Sequence, residues 1–363
     1  MPACLEPLAQ PANVPSFLLD WELTMKCNLD CSYCGTGLYG GHDNTTSHPA
    51  LEDCLRSLDF MYEYADTYLK YKVSGLQKVV LNVYGGEALH HPNIVEILVA
   101  ARQVHANYSW PLTITTTTNA IVPQSKLEKL IPLIDHFTVS YHPESLSKHK
   151  QQFRDNVLHI KLSGRAVKCV VLMHPEHFDD AQAQVDWCQR NGIACQPKAI
   201  DHPQEWPQFN YSPKQVIWLN QLYNADMTAE DNTDVSEQGR ACCGGRSLFF
   251  DSNYKNPVDF VHNKFPDWYC SVNWFFVYIK QVNGEIFVNK DCMMNFDGAV
   301  GPIGNLSDTA AVLDKLKYQL STNSLPVIQC KKHSCWCGLC APKAKDYQTY
   351  TNIIAKYQRN FHE

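Results

Sequence analysis

Six strand-like segments separated by five helical ones, between residues 16 and 200, constrain this chain more than any other feature. The strands read as 16–25, 78–87, 112–119, 136–142, 166–173 and 193–200; the helices fall near 48–70, 92–106, 124–134, 144–161 and 176–191. In the first helix Leu51, Leu55, Leu58, Met61 and Tyr62 recur at helical spacing, and Pro92 opens the second. Strands joined through helices make a parallel sheet, whose ligands gather at the carboxyl ends of the strands. Period-two patterning adds a second constraint. Thr138, Ser140 and His142 share a face, opposite Phe137, Val139 and Tyr141; Thr113, Thr115, Thr117 and Asn119 align likewise, as do Asn82 and Tyr84. A doubly covered flat sheet would be apolar on both faces, so the polar faces predict an open, TIM-like partial (βα)6 barrel around a polar lumen. Threonine-rich strands packed in an ordinary core are the alternative. Lys168, Gln196 and Lys198 are candidates for an anionic part of a substrate on that inner surface.

Directly after the first strand stands CNLDCSYC, with Cys27, Cys31 and Cys34 in CxxxCxxC spacing. Three thiolates within eight residues can converge on one soft metal centre as a loop wraps around it. A tetrahedral zinc site wants a fourth ligand, and the nearest other cysteine, Cys54, lies in a helical segment. Three cysteines suit an iron–sulfur cluster with one iron open to another ligand.

The 16 cysteines among 363 residues are distributed unevenly. Eight follow residue 240, at 242, 243, 270, 292, 330, 335, 337 and 340, whereas Cys4, Cys54, Cys169, Cys188 and Cys195 are scattered and read as buried hydrophobes. The first fifteen residues lack the charged and apolar regions of a secretory signal, so a cytoplasmic setting is expected, the host cytoplasm if the protein is viral. There, dense cysteine means metal or redox chemistry more often than disulfides. A net charge of −6 provides no overall basic field for nucleic acid or an anionic membrane, and the longest apolar run, WFFVYI at 274–279, is strand-sized. The expected organisation is a barrel over 1–210, a connection over 211–239 with a helix near 212–223, a small cysteine-rich α+β domain over 240–341, and a terminal helix within 342–363. Within 275–289, Asn283-Gly284 marks a hairpin turn.

CxxxCxxC with an aromatic residue, Tyr33, before its third cysteine, after the first strand of an alternating domain, closely resembles the radical S-adenosylmethionine (SAM) superfamily. Gly85-Gly86-Glu87 at the end of the second strand looks like that superfamily's GGE motif, which contacts the amino group of SAM. The resemblance covers roughly residues 16–200. It implies a 4Fe-4S cluster on Cys27, Cys31 and Cys34, SAM on the open iron, and a 5′-deoxyadenosyl radical that abstracts hydrogen from an unreactive carbon. It further implies a backbone contact from Tyr33 to adenine, with Asn119 and Ser140 as candidates for the ribose or carboxylate of SAM, and a flavodoxin- or ferredoxin-type reductant. The later cysteines resemble SPASM and twitch auxiliary-cluster domains, with departures in spacing. The expectation is one further 4Fe-4S cluster on Cys270, Cys292, Cys337 and Cys340, with Cys242 or Cys243, Cys330 and Cys335 as replacements or ligands of a second cluster, and zinc on the CxCxxC group as the competitor.

An enzyme accounts for the open iron, the GGE motif and the barrel together; an electron-transfer protein or a cluster-bearing binding module leaves them unexplained. VLNVYGGE and TVSYH are similar to radical SAM proteins of phage and marine microbes, some of which act in thymine hypermodification. An isomerase acting on an amino-acid-modified thymidine in DNA is the resulting expectation. A peptide or small-molecule maturase is the alternative, against which only 26 residues precede Cys27 where peptide maturases often carry a leader-binding domain.

Overall fold

The computed structural model describes residues 16–34, 43–71, 78–200, 209–228, 267–289, 292–293, 295–330, 343–344 and 346–358. Its centre is β1 (Ser16–Thr24), where SFLLDWELT alternates strictly. Phe17, Leu19, Trp21 and Leu23 are all fully buried on one face. Leu18, Asp20, Glu22 and Thr24 occupy the other. From β1 the chain builds β2 (Lys78–Gly85), β3 (Leu112–Thr118), β4 (His136–Tyr141), β5 (Ala166–Leu172) and β6 (Ala194–Lys198), each parallel to the one before. The crossovers are α1 (Leu51–Tyr71), α2 (Ile94–His105), α3 (Gln124–Leu130), α4 (Ser147–Leu162) and α5 (Phe178–Arg190). The expected mixed α/β organisation with a parallel sheet is therefore present. Helix α3 stops at Leu130 rather than running to 134: Ile131 still has helical backbone and donates to the Leu127 carbonyl, but Pro132 has no N–H to continue the ladder.

Helices cover the apolar face. Glu52 and Asp53 in its first turn and Lys70 in its last match the dipole of α1. That helix seats Tyr68 on Phe17 with ring centroids 4.7 Å apart. Tyr141 packs on Phe153 of α4 at 5.3 Å and donates its hydroxyl to Asp180 of α5 at 2.8 Å.

Beyond residue 200, α6 (Pro213–Thr228) precedes a short strand, β7 (Tyr269–Cys270), and the expected hairpin forms as β8 (Phe276–Lys280) and β9 (Glu285–Phe287). Gly284 takes φ +71°, the left-handed conformation that the Asn283-Gly284 turn requires. Strand β8 adds in parallel to the free side of β1, with Leu18 opposite Phe276 and Glu22 opposite Lys280. With β10 (Gly304–Asn305) at the edge, one nine-stranded sheet runs β10-β9-β8-β1-β2-β3-β4-β5-β6. The C-terminal hairpin thus continues the sheet of the first two hundred residues. Helix α7 (Thr309–Thr322) packs on α1, capped by Asp308, whose carboxylate accepts the Ala311 N–H. A second sheet pairs β7 with β11 (Ile328–Gln329) and β12 (Lys343–Ala344), beside α8 (Tyr347–Gln358).

Gln281 locks the join of β8 to β1. Its buried Oε1 accepts the Trp21 Nε1–H at 2.8 Å and the Ser57 hydroxyl at 2.7 Å, while its own N–H reaches the Glu22 carbonyl at 3.0 Å. Removing that oxygen strands the buried Trp21 N–H at about 1–3 kcal/mol, while the Ser57 hydroxyl keeps the Asp53 carbonyl at 2.8 Å. Q281A should therefore lose about 1–3 kcal/mol of stability, read as a lower urea midpoint; an unchanged midpoint would show that the join does not depend on this side chain.

Candidate functional site

Loops after β1, β2, β3, β4 and β5 meet at the carboxyl edge of the sheet. The first two are zipped by backbone alone: Gly86 N–H donates to the Thr24 carbonyl at 2.8 Å and Glu87 N–H to the Lys26 carbonyl at 2.8 Å. This approach explains both glycines. A Cβ on Gly85, which sits at φ +151°, would lie 1.9 Å from the Thr24 oxygen, and one on Gly86 would lie 2.5 Å from the Met25 and Lys26 oxygens.

Glu87 extends the zip to β3. Its carboxylate accepts Leu89 N–H at 2.9 Å, the Thr118 hydroxyl at 2.7 Å and Asn119 N–H at 2.6 Å. Burial raises its proton affinity and these three bonds oppose that rise. Asn119 in turn donates its amide to Asn28 Oδ1 at 2.7 Å, with Cys27 Sγ at 3.8 Å. Asn28 closes the circuit on the Ile121 carbonyl at 2.9 Å. The GGE glutamate and Asn119 thus brace the cysteine loop.

The loops after β4 and β5 hold the rest of it. Glu144 accepts Ser32 N–H at 2.8 Å and the Ser32 hydroxyl at 2.6 Å. His142 Nδ1 lies 2.9 Å from the Tyr33 hydroxyl and 3.4 Å from Cys31 Sγ. The Tyr33 and His142 rings are parallel within 4°, and His174 and Phe209 flank Tyr33 at 5.8 and 6.4 Å.

Cys27, Cys31 and Cys34 lie close enough to feel one another electrostatically. Burial, the largest cause, pushes the Cys27 and Cys31 thiols up to about 12. Thiolates there need a cation to hold them, which is the chemistry of a metal-ligand set rather than of solvent-facing nucleophiles. The residues present fit an iron–sulfur cluster.

Among the described residues, Glu144, His174 and His177 have donor atoms within 4.8 Å of one another. His174 Nδ1 accepts Glu176 N–H at 3.2 Å, so a neutral ring carries its proton on Nε2, facing Glu144 Oε1 at 3.3 Å. The group reads as a hydrogen-bonded clamp on Ser32, not as a metal site.

The strand register shows which side chains share the polar face. Asp20 pairs with Asn82 and Tyr278, Asn82 with Thr115, Thr117 with Thr138, and Thr138 with Lys168. Asp20 accepts from Asn82 at 2.6 Å and Tyr84 at 2.9 Å; Glu22 accepts from Tyr278 at 2.9 Å. Asp20 and Glu22 are buried, and Glu22 Oε1 has no partner. Half-buried Ser140 lies on this face one pleat below His142. Lys168 donates to Gln196 at 2.7 Å, while Lys198 is exposed.

Of the later cysteines, Cys270 lies in β7, flanked by Ile328 and Lys343, and Cys330 N–H donates to the Trp268 carbonyl at 2.8 Å. Cys292 is buried, its N–H on Asn289 Oδ1 at 2.8 Å. Cys337 and Cys340, with Cys242, Cys243 and Cys335, lie outside the described residues. Sequence reading missed three things. Glu144 and His174 belong to no motif; His142 was placed on the polar face without a role; and the supposedly scattered Cys169, Cys188 and Cys195 converge, Cys169 and Cys195 as register partners and Cys188 beneath them on α5.

No family model matches the chain, and no curated protein matches it either. Solved structures do. Native anSMEcpe with bound AdoMet is 14% identical over 94% of this chain and 96% of that one, with a TM-score of 0.54. The same protein with bound AdoMet and Cp18Cys peptide is 13% identical over 94% and 95%, again at 0.54. Streptococcus suis SuiB bound to S-adenosylmethionine is 15% identical over 86% of this chain and 67% of that one, at 0.49, too distant to carry an argument. The chain shares the fold of anSMEcpe. No helix among the described residues is long and apolar enough to cross a membrane.

Two outcomes are expected at this site. E87Q keeps the shape but turns one of the two acceptor oxygens into an amide donor, set either against Asn119 N–H or against the Leu89 and Thr118 donors, and G86A places a methyl group on two carbonyl oxygens. Both should lower the urea midpoint, E87Q by about 1–3 kcal/mol for each donor left unpaired; wild-type stability in both would show the zip to be dispensable. Burial also lowers His48 and His142 to about 4, below the ordinary imidazole value. The unfolded chain therefore binds more protons between about pH 6.5 and 4, and stability present at pH 7 is lost on acidification through that window. Urea midpoints at pH 7 and pH 5 should fall in that order, and an equal or higher midpoint at pH 5 would contradict it.

Proposed function

We propose that this chain is a radical SAM enzyme, with Cys27, Cys31 and Cys34 as ligands of a 4Fe-4S cluster. The observation that carries the reading is the convergence of three thiols, Cys31 buried and Cys27 and Cys34 half-buried, beside the zipped Gly85-Gly86-Glu87 loop at the carboxyl edge of a parallel sheet. Likeness to the fold of anSMEcpe, whose solved structure has bound AdoMet, supports it. With SAM bound, the reduced cluster supplies a 5′-deoxyadenosyl radical that takes a hydrogen atom from substrate. Strands β1–β6 are proposed as the partial (βα)6 barrel, its polar face as the substrate lumen. Gly85, Gly86 and Glu87 are assigned to the amino end of SAM, the Tyr33 backbone to adenine, and Asn119 and Ser140 to the ribose or carboxylate.

Protein groups orient and shield. Glu144 and His174 fix Ser32, Glu87 and Asn119 fix the start of the loop, and the buried Glu22 Oε1 offers an acceptor to a substrate that donates hydrogen bonds. A flavodoxin- or ferredoxin-type protein is the proposed reductant, and Cys270, Cys292, Cys337 and Cys340 the proposed ligands of an auxiliary 4Fe-4S cluster. Two substrates are weighed. An amino-acid-modified thymidine in phage DNA, rearranged by an isomerase, rests on the resemblance of VLNVYGGE and TVSYH. A peptide rests on the anSMEcpe complex with a peptide.

Iron, sulfide and EPR measurements on anaerobically reconstituted protein, with 5′-deoxyadenosine formation from SAM under reductant, test the proposal. The C27A/C31A/C34A variant should lose one cluster's iron and all SAM cleavage. Cleavage retained in that variant would refute the reading.

A further inference from the structure

We infer that Tyr33 and His142 are a pair of hydrogen-bond donors to the sulfur of Cys31, and that through it they raise the reduction potential of the cluster. This rests on the reading of Cys27, Cys31 and Cys34 as cluster ligands.

Three atoms form a triangle: Cys31 Sγ, His142 Nδ1 at 3.4 Å from it, and the Tyr33 hydroxyl at 2.9 Å from His142 Nδ1 and within hydrogen-bonding reach of the sulfur. A ligating thiolate is an acceptor only. Of the two tautomers of a neutral His142, the one with Nδ1–H gives the sulfur an N–H donor and frees the Tyr33 proton to point at the sulfur as well. The other tautomer would turn both groups away from the strongest acceptor in the triangle.

The pair is held rigidly. His142 follows Tyr141, which is buried and anchored on Asp180 at the end of β4. Tyr33 is 8% exposed, with the His142 ring parallel to its own and His174 and Phe209 on its other sides. Cys27, by contrast, has the Leu29 N–H at 3.4 Å and the distant Asn119 amide at 3.8 Å. Hydrogen bonds to a cluster sulfur withdraw charge from it and favour the state with one more electron, which moves the potential upward. Neither side chain needs to touch substrate to do this; each acts through Cys31.

The experiment is an EPR-monitored potentiometric titration of reconstituted wild type, Y33F, H142L and H142N, with iron content measured first. The relevant signal is the one absent from C27A/C31A/C34A. Y33F deletes the O–H and keeps the ring; H142L deletes the N–H; H142N replaces Nδ1–H with an amide N–H at the same branch point. Y33F and H142L should keep their iron and become harder to reduce. At a fixed poise their reduced-to-oxidised ratio should fall about tenfold, which is about 59 mV for a one-electron couple. H142N should return most of that shift. Wild-type midpoints in Y33F and H142L at full iron content would overturn the inference, as would a shift in H142L that H142N fails to reverse. If wild type and C27A/C31A/C34A carry the same iron, the cluster reading itself falls, and the iron assay reports that before any titration.

Discussion

Two backbone hydrogen bonds, from Gly86 to Thr24 and from Glu87 to Lys26, hold the site together, because they bring the ends of two neighbouring strands closer than side chains would allow. Everything above them is propagated from that contact. Glu87 can reach Thr118 and Asn119 only because its backbone is pinned beside Lys26, and Asn119 can reach Asn28 only because its own N–H is pinned to Glu87. A carboxylate that is 1% exposed would ordinarily be costly, yet here it is met by three donors, which is the condition under which a buried charge is tolerated. The two glycines therefore have a packing reason that holds whether or not a ligand lies against them.

The inner face shows the opposite balance. Asp20 is satisfied by Asn82 and Tyr84, whereas Glu22 spends one oxygen on Tyr278 and leaves the other buried and bare. An unsatisfied buried acceptor costs about 1–3 kcal/mol or more, so stability alone does not explain it. The β1 strand that carries it runs straight into the cysteine loop, which places this acceptor on the same polar face that ends at Asn119 and His142. An unmet acceptor on such a face is what a site for a hydrogen-bond-donating substrate requires.

Much of this was legible in the sequence, and the division follows from how local each signal is. Alternation in SFLLDWELT and HFTVSY and helical spacing from Leu51 to Tyr62 are properties of single segments, and the strands and α1 lie where those patterns put them. The polar face was legible for the same reason. Glu144 and His174 were not, since their role is made by contact with Ser32 across more than a hundred residues and no spacing encodes it. Cys169, Cys188 and Cys195 looked scattered because strand register and the docking of α5 bring them together. The parallel seating of β8 on β1 was invisible too: Asn283-Gly284 announces a hairpin but not its neighbour, which Gln281 selects through Trp21 and Ser57.

That seating has a geometric consequence for the later cysteines. Because β8 runs parallel to β1, its end at Lys280 lies at the edge where the Cys27–Cys34 loop begins, and its start at Phe276 lies toward the opposite edge. Cys270 precedes β8, and Cys292 follows β9 after it has returned antiparallel, so both are delivered toward that opposite edge. The five paired residues from Leu18 to Glu22 span about 13 Å at the ordinary rise of a strand. Cys270 and Cys292 therefore lie toward the far end of the polar face from Cys27, with Asp20, Glu22 and Tyr278 between. That separation requires the hairpin to belong to the same sheet as β1, and that is where Gln281 fixes it.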